Sequence, residues 1–135
     1  MLHIIDSEKS VAEIRKIFPD VVAAHKFGLL GVHDLRGKMN EKGIAFDKEC
    51  LVFEICNPFN AKTVLEADLA ISTALPCRVS AYASGTGSRL ATLSPTALLK
   101  LFGRPELGGL AAELEKVIYA IMADAAGKTV GTAAV

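Results

Sequence analysis

The stretch FEICNP at residues 53–58 sets Cys56 directly before an asparagine and a proline, and LPCR at 75–78 adds Cys77. A thiolate placed this way can attack an electrophile, hold a persulfide or bind a soft metal. Asn57 is a favoured helix N-cap and Pro58 suits the first helical position, so Cys56 is expected just outside the positive end of a helix. Unpaired backbone amides there favour the thiolate and lower a cysteine pKa from about 8.5 by a unit or more. Strand alternation groups Glu54 with Cys56, and Arg78 with Ser80 and Tyr82. If those faces coincide, Cys56, Cys77 and Glu54 are catalytic candidates, while Asn57, Arg78 and Tyr82 are candidate ligand contacts. Glu54 and Tyr82 would carry protons and Arg78 would meet an anion.

Plainer readings stand beside these. Glu54 and Arg78 suit a cross-strand ion pair, and a free cysteine is often a small buried apolar group. The same alternation sets Cys77 opposite Arg78 and Cys56. A Cys56–Cys77 disulfide is then disfavoured, because bridged residues need their Cα atoms within roughly 7 Å and side chains aimed at each other.

Nitrogen and sulfur ligands for a metal are Cys50, Cys56, Cys77, His3, His25 and His33, whose spacing follows no zinc pattern. His25 ends an apolar helical stripe and reads as a core or helix-end residue; His33, beside Asp34, is the better ligand candidate. Metal and cofactor stay unassigned. GTGS at 85–88 lies in a hairpin turn without a following helix, and no G-x-S-x-G elbow surrounds a serine.

A chain of 135 residues with 51% apolar content is expected to fold as one domain over residues 1–135. Fifteen basic side chains balance fifteen acidic ones without a run of either sign, which argues against a nucleic-acid partner. No segment approaches the roughly 20 apolar residues of a membrane span, and the N-terminus has no secretory pattern. A cytoplasmic location and reduced cysteines follow as expectations.

The elements that must position these residues are legible in outline. Residues 2–5 suit a short strand, and Asp6 or Ser7 could cap a helix carrying Val11, Ile14, Phe18 and Val22. Pro19 predicts a kink or two consecutive helices, ending near Gly28. A strand over 29–36, a loop over 37–48 with room for one helical turn, a strand over 50–57 and a helix over about 58–68 come next. CRVSAYAS and SRLATLS flank GTG as a hairpin; Ser94 and Pro95 start a helix; a longer helix carries Leu110, Leu114, Ile118 and Ile121; residues 127–135 read as a loose tail. The class is α+β: a small, mostly antiparallel sheet of four or five strands with helices packed on one face. The other face needs a cover, for which a second copy is the natural candidate.

FGLLGVHDLRGKMNEKG, FEICNPFNAKTVLEAD and ALPCRVSAYASGTG, in that order, resemble the family called Domain of Unknown Function 302 over about residues 8–96. The resemblance implies a small α+β domain, commonly dimeric, with no agreed activity. The chain departs from the pattern in a shortened N-terminal strand and in a helical extension over about 95–127.

Two functions fit. One is thiol or sulfur handling through Cys56 at a helix start. The other is a noncatalytic homodimeric module that binds a small anionic ligand or a partner protein. The sequence does not choose between enzyme and binder.

Overall fold

The computed structural model describes residues 1–128. Five strands form one sheet: β1 (Leu2–Ser7), β2 (Gly28–Asp34), β3 (Cys50–Cys56), β4 (Cys77–Ser84) and β5 (Gly87–Leu93). Their order is β1-β5-β4-β3-β2, and every neighbouring pair is antiparallel. The helices are α1 (Val11–Ala24), α2 (Leu35–Glu41), α3 (Pro58–Ala67), α4 (Pro95–Lys100) and α5 (Gly108–Ala125), with a 3-10 helix at Leu69–Ala74 after α3. This is the α+β architecture expected. Among the described residues no helix is long and apolar enough to cross a membrane.

Period-two patterning decides which sheet face is covered. Leu51, Phe53 and Ile55 of β3 and Val79 and Ala81 of β4 are buried with Ile14, Phe18 and Val22 of α1 and Ile118, Ile121 and Met122 of α5. Phe18 stacks on Phe53 at 4.0 Å between ring centroids. A second, smaller cluster of Val64, Ile71, Leu99, Leu107 and Ala111 ties α3 and the 3-10 helix to α4 and α5.

The opposite face contributes no residue to these buried clusters. One row across it runs Ile4, Ala91, Ser80, Val52, His33, and the next runs Asp6, Arg89, Tyr82, Cys50. Leu2 lies opposite Leu93, and Glu54 opposite Arg78, at the end of the face nearer α3.

Several boundaries differ from the sequence reading. β1 is not shortened: all six of its residues pair with β5. The strand therefore consumes Asp6 and Ser7, and Ser10 caps α1 through a capping box with Glu13. Pro19 sits inside one continuous α1. Both Pro19 and Arg15, whose carbonyl loses its partner, are exposed, so water can satisfy that group. Residues 35–41 form a helix, which takes Leu35 and Arg36 from the expected strand and enlarges the single helical turn expected within the 37–48 loop; Asp34 accepts from the Gly37 amide at 3.0 Å at its start. The C-terminal turn of α1 passes through Lys26 in the left-handed region, φ 63°, rather than through Gly28. Apart from Gly127 and Lys128, the expected tail falls on residues 129–135, outside the described residues.

Candidate functional site

Asn57 opens α3 as the sequence predicts, and its side chain explains what becomes of Cys56. Asn57 Oδ1 accepts from the amides of Phe59 (3.0 Å) and Asn60 (3.2 Å), and the Asn57 carbonyl accepts from Ala61. Pro58 has no amide hydrogen. Each donor of the first turn is therefore engaged, which leaves none for a Cys56 thiolate. Burial instead pushes the Cys56 thiol above its ordinary value, opposite to the direction expected from the helix start. Cys77 is pushed further, to about 11, by burial and then by the charge of Cys56. Both are free thiols, and both favour the protonated form at neutral pH.

Cys56 and Cys77 nevertheless border one space. A cavity of about 300 Å3 opens at the end of the sheet between α3 with its 3-10 helix on one side and α4 with α5 on the other. Val64, Ile71, Leu98, Leu99, Leu114 and Ile118 supply much of its wall, Asn57 and Asn60 add amides, and Arg78 is the charged residue that lines it. Strand alternation sets Cys77 with Val79 and Ala81 toward the core, and Arg78 away from it. The cavity reaches both because it wraps the strand ends instead of lying on one face.

α4 forms its wall from a well-anchored position. Ser94 donates to the Glu115 carboxylate of α5 in a short hydrogen bond and accepts from the Ala97 amide at 3.2 Å. The Ser94 contact, more than any other, holds the Glu115 carboxyl below the ordinary carboxylate value. Thr92 lines the cavity and donates to the Arg78 carbonyl at 2.6 Å, joining β5 to β4 at the rim.

Glu54 and Tyr82 lie elsewhere. Glu54 sits directly across from Arg78, with Arg78 Nε 3.5 Å from Glu54 Oε2, and His33 Nε2 lies 2.8 Å from Glu54 Oε1. The His33 hydrogen bond, followed by Arg78, holds the Glu54 carboxyl below its ordinary value. The cross-strand ion pair is thus present, and Glu54 has no hydrogen bond to either thiol. Tyr82 is across from Cys50 and Arg89 on the uncovered face, away from the cavity. The structure therefore joins Cys56, Asn57, Cys77 and Arg78 at one cavity and separates Glu54 and Tyr82 from it.

Among the described residues no three His, Cys, Asp or Glu side chains converge as metal ligands. His33 is engaged with Glu54, and His25 caps α1 and lies 2.5 Å from Asp124 of α5, the helix-end role expected of it. Sequence reasoning missed the contribution of α4. Ser94 and Pro95 predict its start, but nothing local says that Leu98 and Leu99 face a gap left between two helical layers.

The family model described as Domain of unknown function DUF302 matches residues 3–125. That match extends beyond the resemblance read over residues 8–96 and takes in both β1 and α5. Among solved structures, the chain is similar to an uncharacterized conserved DUF302 protein from Bacillus stearothermophilus: 26% identity, TM-score 0.85, covering 93% of this chain and 97% of that one. No curated protein matches it.

Proposed function

This chain belongs to the DUF302 family, and we propose that it works as a noncatalytic homodimeric module binding a small anionic ligand in the cavity between α3 and α4. The observation carrying this reading is the wall itself: a roomy apolar space lined by one cationic residue, Arg78, whose Nε is held by the Glu54 carboxylate from outside the lining. Small-molecule sites have this composition, a mostly hydrophobic lining with a few polar groups that fix orientation. Arg78 supplies the polar end. Its Nε is spent on Glu54, while its terminal nitrogens make no hydrogen bond among the described residues.

The thiols favour binding over catalysis. A nucleophilic cysteine needs a lowered pKa or an adjacent base, and both thiols are raised with no base hydrogen-bonded to them. Cys56 and Cys77 then serve as soft, polarizable wall groups.

The second copy is assigned to the uncovered sheet face. Leu2, Ile4 and Leu93 are exposed there and share that side of β1 and β5. Antiparallel sheets commonly leave one face to water, but such a face is normally polar, and this one carries an apolar corner.

Displacement of an environment-sensitive apolar dye from the cavity tests the reading. Dye binding that is saturable in the wild type and lost in Ala61→Phe, which fills the cavity from α3, is the expected result. Dye binding that survives that filling would remove the cavity from the account.

A further inference from the structure

The lining restricts the ligand more narrowly than charge alone, and four observations bear on its class. Arg78 is the charged residue of the wall, and because Glu54 already engages its Nε at 3.5 Å, only its terminal nitrogens remain for one carboxylate, which leaves a second negative charge unpaired. Of the other polar side chains, Asn57 caps α3, Thr92 bonds the Arg78 carbonyl and Thr73 bonds the Ala70 carbonyl at 2.9 Å, which leaves Asn60 as the amide side chain without a hydrogen bond among the described residues. A sugar or nucleotide would bring hydroxyls and amides that this wall leaves unpaired, a loss a polar ligand does not recover.

The remaining wall is aliphatic, with Phe102 the aromatic residue that lines it. Aromatic ligands are usually received by stacking surfaces, which one ring does not build. Finally, about 300 Å3 equals the room of about ten waters at roughly 30 Å3 each. A methylene occupies about the space of a water, so the walls receive a chain of about eight to ten carbons, and a longer one would run out through the open side without further burial.

We propose that the ligand is an unbranched aliphatic monocarboxylate of about eight to ten carbons, its carboxylate on Arg78 and its chain between α3, α4 and α5. This assignment rests on the binding reading above. No bond is made or broken. Burial of the chain supplies affinity, and Arg78 selects the head.

Isothermal titration of the full chain with hexanoate, octanoate, decanoate and palmitate, and with octanol and octylamine, tests it. Affinity should rise about fourfold per added methylene from hexanoate to decanoate and then stop, with palmitate no tighter than decanoate. Octanol and octylamine should bind at least about tenfold more weakly than octanoate, and Arg78→Gln should bring octanoate down to the octanol level. Arg78 is mostly exposed, so this variant should keep its melting temperature, measured alongside.

Octanol binding as tightly as octanoate would overturn the carboxylate assignment and the anionic part of the binding reading, leaving only the cavity as an apolar site. Affinity indifferent to chain length would overturn the aliphatic assignment in the same way. Failure of all the amphiphiles to bind, together with dye binding unaffected by Ala61→Phe, would overturn the cavity reading itself.

Discussion

Cys77 shows how burial converts a residue type into a pH-dependent property. Its folded pKa of about 11 exceeds the ordinary thiol value, so the native state holds its proton longer than the unfolded chain does. The unfolded chain ionises first as pH rises. Stability is therefore complete below the unfolded value and falls between about pH 9 and about pH 11, by roughly 3 kcal/mol over the interval. Urea titrations of wild type and Cys77→Ala across that window should show the steeper decline in wild type; parallel declines would contradict the burial. At Cys56 the prediction is kinetic. Alkylation at neutral pH should run no faster than that of a free model thiol, because Asn57 has taken the donors a thiolate would use. Cys56→Ser should leave ligand affinity within about a factor of two, the loss of one soft wall contact among many. At this scale the sequence singled out Cys56, Asn57, Cys77 and Arg78, which all line the cavity, although strand alternation had set Cys77 on the face opposite Cys56 and Arg78. It misjudged the thiol chemistry because the same asparagine that makes a helix start also consumes that start's amides.

Helix ends give the next set of consequences. Replacing Asn57 by alanine should cost about 1 kcal/mol, since two amides at the start of α3 lose their acceptor. The same change should weaken ligand binding, because α3 forms one wall. At the other kind of terminus, Lys26 holds a left-handed backbone, and the Phe27 amide closes the turn onto Val22 at 2.9 Å. Glycine adopts that conformation freely, so Lys26→Gly should raise stability by about 0.5–1 kcal/mol in chemical denaturation. An unchanged midpoint would deny the strain. Elements with a strong period were legible: β3, the β4–β5 hairpin and α5 sit where alternation and helical spacing place them. The capping box at Ser10 and Glu13 was also written in the chain, but two earlier cap residues competed with it until β1 claimed them. α2 was legible only as a single turn within a loop, since it buries no residue and so carries no apolar stripe.

Over the whole molecule, the order β1-β5-β4-β3-β2 brings the ends of β3, β4 and β5 together beneath α3 and α4, and that convergence creates the cavity. No local pattern encodes it. The gap arises because two small helical layers meet over strand ends rather than over a sheet face. The uncovered face makes a separate prediction about assembly. Ile4→Glu places a charge among Leu2, Leu93 and Ala91, and if the proposed dimer forms through this face, sedimentation equilibrium should show wild type as a dimer and the variant shifted toward monomer with the fold retained. An unaltered mass would move the interface elsewhere. For the cavity itself, the most direct measurement is an amide chemical-shift titration with decanoate. Binding as described predicts saturable shifts confined to the cavity walls, including Ala61, Cys77, Arg78 and Leu99, with the outer face of α1 unmoved. Shifts scattered over the surface, or none at saturating ligand, would contradict it.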